Sequence, residues 1–188
     1  PAMILKFANS TAYTPAGLAI GELSKAIARL GSKETVHIAA AMSLMYGIIL
    51  PTGMSNIRSF WGHAYAVAIV AETIAQQLDP VQKMCQHERA FMAGLLHDIG
   101  RAALGMRVDF SYFERNLGHL HSDELIAAEE TLYGVNHAEA GHLLLSRWLF
   151  PDDLCPAVAD HHNAQSQLLL ARNCYTANEY VVTHLPER

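Results

Sequence analysis

The stretch Phe91-Met92-Ala93-Gly94-Leu95-Leu96-His97-Asp98-Ile99-Gly100-Arg101 decides the reading of this 188-residue chain. A small-residue-rich apolar run leads into two adjacent side chains that can ligate a metal. One is an imidazole and the other a carboxylate, a donor mix suited to Zn, Mn or Fe. Gly100 follows where a helix is expected to end or kink. A His-Asp dipeptide alone diagnoses nothing, so its meaning depends on whether other polar groups converge on it.

Upstream of that stretch, Phe60, Ala64, Val67, Ala68, Ala71, Ile74, Ala75 and Leu78 fall on one stripe of a helix over 60–78, which Asp79-Pro80 stops. Pro1 suits the first turn of a short helix ending at Ala8, and Asn9 to Pro15 reads as a loop. Ile20, Leu23, Ile27 and Leu30 keep a helical period that Gly31 ends. Ser32 is placed to cap a helix over 33–50, closed by Pro51. Downstream, Ser122 caps a helix to Tyr133 that Gly134 ends. Asn136 caps another over 137–150, whose face carries His137, Ala140, Gly141, Leu144, Leu145 and Trp148. Pro151 begins a helix through Ala159 to His162, and a last one spans about 165–185. Residues 105–122 show no clear period and read as irregular or short helical structure.

No segment alternates as a strand would, so the chain reads as all-α, a helical bundle. The polar, turn-rich residues 51–59 are the expected boundary between a smaller N-terminal helical lobe, 1–51, and a helical core, 52–188, within one domain. The chain opens abruptly without an initiator Met, so missing upstream residues are expected.

Composition narrows the function. With 51% hydrophobic and 16% charged residues, the chain has the makings of a large buried core and not of a disordered segment. The net charge of −5 and the absence of a Lys/Arg cluster argue against nucleic acid as a partner. Cys85, Cys155 and Cys174 are an odd count without metal-type spacing, which suits a reduced, cytoplasmic compartment. No apolar run reaches spanning length, so no membrane association is expected. What stands out is eleven histidines against thirteen Lys and Arg together.

Several of these histidines border apolar faces: His63 on the 60–78 stripe, His137 continuing Ala140, Gly141 and Leu144, and His161 continuing Leu154, Ala157 and Val158, with His162 beside it. Asn178 lies between Cys174 and Val181 at helical spacing. A lone His on such a face is usually a hydrogen-bonded core residue. Several at once would each need a separate partner, and one shared site removes that need. His37, His87, His119, His121, His142 and His184 show no such order and are expected at the surface or behind the site.

Phe7-Ala8-Asn9-Ser10, Ala26-Ile27 to Leu30-Gly31, Phe60-Trp61-Gly62-His63, Ala93 to Gly100, and His137-Ala138-Glu139-Ala140-Gly141 through Trp148 to Pro151 together resemble the HDOD branch of the HD metal-dependent phosphohydrolase superfamily. The resemblance implies an HD-like helical bundle and one or two divalent ions, Mn, Fe or Zn. It assigns His63, His97, Asp98 and a last-helix carboxylate to one ion, and His137 with His161 or His162 to a second, Asp98 lying between them. In this sequence the last-helix position is Asn178, or Glu179 with a shift by one. Asp98 and Arg101, which stands where many relatives carry Lys, are the catalytic candidates if the chain is active. The Gly-Tyr-Pro motif of cyclic-dinucleotide phosphodiesterases is absent after His161-His162, where Asn163-Ala164-Gln165 stand. The resemblance therefore implies a bacterial signal-transduction module that binds a signalling protein partner or a small ligand, with phosphoester hydrolysis as the alternative.

Overall fold

A computed structural model describes residues 2–10, 19–47, 57–78, 85–107, 112 and 122–185. Ten helices form, and no strand occurs among the described residues. The expected stops at Pro51 and Asp79-Pro80, the 51–56 part of the boundary segment, the 11–15 loop, and His119 and His121 lie outside them. The chain divides into two compact units, Pro1–Ile49 and Leu50–Arg188.

The first unit holds α1 (Ala2–Ala8), α2 (Leu23–Leu30) and α3 (Ser32–Gly47) around Ala8, Ala26, Leu30 and Ile38, with Ile4, Leu5, Phe7 and Ile20 packed against them. Asn9 holds the incoming chain like one rung of a sheet. Its Nδ2 donates to the Ile20 carbonyl and its Oδ1 accepts from the Ile20 N–H, both at 2.8 Å. Gly31 ends α2 at φ 83, as its position after the periodic run predicts. His37 departs from expectation: it is buried on α3, at 3% exposure.

The second unit holds α4 (Ile57–Leu78), α5 (Cys85–Leu96), α6 (Ile99–Arg107), α7 (Ser122–Tyr133), α8 (His137–Arg147), α9 (Leu154–Ala159) and α10 (Leu169–His184). Its core is built on small residues: Val67, Ala71 and Ala75 of α4 meet Ala90 of α5 and Cys174, Ala177 and Val181 of α10. Small side chains let helix backbones approach closely, and two glycines carry this furthest. A Cβ on Gly94 would lie 2.7 Å from Ala68 Cα, so α5 rests directly on α4. A Cβ on Gly100 would lie 1.8 Å from the His137 carbonyl oxygen, so α6 rests directly on α8. Gly100 therefore does not end a helix. It is the second residue of α6, and the break falls at His97-Asp98 between α5 and α6.

Other boundaries shift for local reasons. The α8 helix stops at Arg147 and not Phe150, because Leu149 turns left-handed at φ 59. Leu149 N–H then donates to the Ser146 carbonyl at 3.1 Å and Phe150 N–H to the Leu145 carbonyl at 3.1 Å, a Schellman ending with Leu where Gly is usual. Trp148 consequently points out, at 45% exposure, whereas Phe60 and Trp61 are buried. Pro151 precedes α9 by three residues and does not begin it. At the other end of α8, Asn136 caps as its sequence position predicts, its Oδ1 accepting from Glu139 N–H at 3.0 Å. No helix of the described residues is long and apolar enough to cross a membrane.

Candidate metal centre

His97 and His161 occupy equivalent places in the chain. Each follows the last turn of a helix, α5 or α9, where carbonyl groups lack intrahelical donors. His97 Nδ1 lies 2.7 Å from the Gly94 carbonyl and His161 Nδ1 lies 2.6 Å from the Val158 carbonyl, each three residues back. His137 occupies the opposite kind of place, the first residue of α8, and its Nδ1 lies 2.6 Å from Glu129 Oε2. That same oxygen accepts the His137 backbone N–H at 2.7 Å, a donor otherwise orphaned at the helix start.

Carbonyl and carboxylate oxygens only accept hydrogen bonds, so all three rings carry their proton on Nδ1. Burial, opposed by Asp98, holds His97 down to about 4, and burial with the neighbouring imidazoles holds His161 down to about 3. Both rings are thus neutral near pH 7 and present a bare lone pair at Nε2. These lone pairs converge on another acceptor, the Asp98 carboxylate. His137 Nε2 is 3.4 Å and His161 Nε2 3.8 Å from Asp98 Oδ1, and His97 Nε2 is 3.6 Å from Asp98 Oδ2. His97 Nε2 and His161 Nε2 make no hydrogen bond with any described residue.

Buried acceptors facing one another without a donor are costly unless a cation lies among them. The spacings suit one: metal–ligand bonds of about 2.1 Å at tetrahedral angles put donor atoms about 3.4 Å apart. Two groups assemble, His63–His97–Asp98 and His137–His161–His162, each with its ligand atoms within 4.8 Å of one another. The rings follow one another at centroid distances of 5.3 Å (His63–His97), 5.2 Å (His97–His161) and 3.9 Å (His161–His162). His162 Nε2 lies 2.8 Å from His137 Nε2.

All six expected His and Asp positions thus meet in one place. Asn178 is buried on α10 with its Oδ1 lacking a hydrogen bond, while Glu179 is exposed. Of these two, Asn178 faces the interior and Glu179 does not. Arg101 turns back to Asp98, its guanidinium donating to Oδ2 at 3.0 Å. Burial acts against the Asp98 carboxylate, but His97, then Arg101, His137 and His161, outweigh it and hold the group well below the usual carboxylate range.

Sequence reasoning missed Glu129 and Tyr112. Glu129 is fully buried on α7, accepts from Tyr112 Oη through Oε1, and is held below its ordinary value, the His137 ring outweighing burial. Arg101 Nε donates to Tyr112 Oη at 3.3 Å, which closes a ring of contacts from Asp98 through Arg101, Tyr112, Glu129 and His137 back to Asp98. A carboxylate four residues after the buried Leu125, on the inward stripe of α7, was the available signal for Glu129. Tyr112 stands in the unperiodic 105–122 stretch and carried none.

The HDOD domain profile matches residues 1–164. Among solved structures, an HDOD domain protein from Geobacter sulfurreducens aligns at 23% identity and TM-score 0.73, over 98% of this chain and 62% of its own. A "Putative phosphohydrolase" from Shewanella amazonensis SB2B aligns at 23% identity and TM-score 0.75, over 100% of this chain and 66% of its own. The MmoQ response regulator of Methylococcus capsulatus aligns at 24% identity and TM-score 0.60, over 98% and 73%. The chain spans less than two thirds of the first two. No curated protein matches it.

Proposed function

The chain belongs to the HDOD domain family, and from that premise we propose that it is a regulatory module of bacterial signal transduction, built on a divalent-metal centre and acting by binding a protein partner or small ligand. Both units, 1–49 and 50–188, belong to one functional domain in this reading. The observation that carries the metal centre is the set of three imidazoles whose Nδ1 atoms are held by carbonyl or carboxylate oxygens, so that three Nε2 atoms face the Asp98 carboxylate.

A divalent ion bound there would supply Lewis acidity toward an anionic oxygen ligand. His63, His97 and Asp98 would hold one ion, and His137, His161, His162 and Asp98 another. Asn178 would offer only a neutral amide oxygen on the His63 side. Arg101 holds Asp98 in orientation and keeps positive charge beside it.

Binding without turnover is favoured because Asn178 stands where the resemblance places a carboxylate in hydrolytic relatives. Phosphoester hydrolysis is the second reading, favoured by the assembly of all six His and Asp positions. Metal analysis of protein purified without chelator or nickel resin tests the shared premise, and a phosphoester panel with MnCl2, with His97→Ala as the control, separates the readings. Near-stoichiometric Mn, Fe or Zn with no turnover above the control is expected. Absence of metal contradicts the centre, and turnover abolished by His97→Ala replaces the first reading with the second.

A further inference from the structure

The two halves of the centre share Asp98 but differ in what stands behind them. Asp98 Oδ1 faces His137 Nε2 and His161 Nε2, at 3.4 and 3.8 Å. Asp98 Oδ2 faces His97 Nε2 at 3.6 Å and also receives the Arg101 guanidinium at 3.0 Å. A cation in the His63–His97 half therefore competes with a fixed positive charge for the same oxygen. In the other half a fully buried carboxylate, Glu129, sits directly behind a ligand ring.

A carboxylate that accepts the outer N–H of a metal-binding imidazole fixes the ring's tautomer and orientation and makes Nε2 a stronger donor. Glu129 does this through Oε2 and simultaneously anchors the His137 backbone N–H, so ring and helix start are held by one oxygen. Tyr112 holds its other oxygen. His97 and His161 rest on neutral carbonyls, so Glu129 is the only carboxylate contacting a site imidazole through Nδ1 among the described residues.

We infer that the halves are unequal and that Glu129 makes them so: the His137–His161–His162 half takes the first divalent ion tightly, the His63–His97 half binds weakly, and Glu129 is the positioning residue. This rests on the metal-centre reading above. Glu129→Gln keeps the shape and one acceptor oxygen but removes the charge.

The test is calorimetric titration of chelator-treated protein with MnCl2, with circular dichroism as the folding check. Wild type should show a tight and a weak phase. The tight phase should vanish in His162→Ala, at the half-buried edge of the cluster, and persist in His63→Ala. Glu129→Gln should weaken it 10- to 100-fold, and Glu129→Asp should recover part of that. A 15N spectrum of the His137 ring gives a readout that general loosening would not move: the Nδ1–H tautomer should be fixed in wild type and mixed in Glu129→Gln. A tight phase lost in His63→Ala but kept in His162→Ala, or unchanged in folded Glu129→Gln, overturns the inference and leaves the metal centre standing. No Mn binding in wild type overturns both.

Discussion

Gly100→Ala is a sharp test of how the centre is assembled, because the expected sign opposes the usual rule. Replacing a helical Gly by Ala ordinarily gains about 0.5–1 kcal/mol, since Gly loses more backbone freedom on folding. At Gly100 the new Cβ would lie 1.8 Å from the His137 carbonyl oxygen and 2.6 Å from Gly141 N, where real contacts stay above 3.0 Å. The α6 and α8 backbones must therefore part by about 1 Å, an overpacking that costs about 1–3 kcal/mol or more. The net expectation is a loss of about 2 kcal/mol, or a melting temperature lower by roughly 4–8 °C in a domain of this size. The same displacement moves His137 away from Asp98, so Mn affinity should fall at least tenfold. Gly62→Ala is the matched control: it is exposed on α4 with nothing within 4 Å of its added Cβ, and it should stabilise by about 0.5–1 kcal/mol. Thermal melts of both variants, with and without MnCl2, read the difference. If Gly100→Ala melts at or above wild type, the close approach of α6 to α8 is not what holds His137 opposite Asp98.

Three further outcomes follow from the geometry. Leu149→Gly should raise stability by about 1 kcal/mol, because Leu149 adopts the left-handed conformation at 89% exposure and its side chain gains little there; a lower urea midpoint would refute that. Asn178→Asp should raise Mn occupancy of the His63–His97 half, and unchanged stoichiometry would show that the α10 position does not serve the centre. In metal-free protein, the folded His97 titrates near 4 and His161 and His162 near 3, against 6.5 for an ordinary His. The unfolded chain therefore takes up protons first as pH falls, so stability is full above about pH 6.5 and drops steadily toward pH 4. A urea midpoint that stays flat between pH 7.5 and 5 would contradict the burial of these rings.

Much of the fold was legible because helical period and capping are local. The Asn136 cap, the Gly31 ending and the inward stripe of α4 all follow from residues within a few positions of one another. Leu78 was the exception on that stripe, exposed where α4 ends. What could not be read depends on partners far along the chain. Gly100 reads as a helix breaker until α8 lies against it, and then it is the contact point between two backbones. Glu129 reads as one more charge on an acidic helix until His137 places its ring and its N–H against it. Trp148 reads as core if α8 runs to Phe150, and it becomes exposed because α8 stops at Arg147, three residues earlier, and Leu149 turns the chain. Asn178 and Glu179 could not be separated by spacing alone, and burial separates them.

The most direct test of the metal centre is anomalous diffraction from crystals grown with MnCl2. An anomalous peak is expected at bonding distance from Asp98 Oδ1, His137 Nε2 and His161 Nε2. At saturating MnCl2, no peak at Asp98, or peaks confined to other residues, would contradict it.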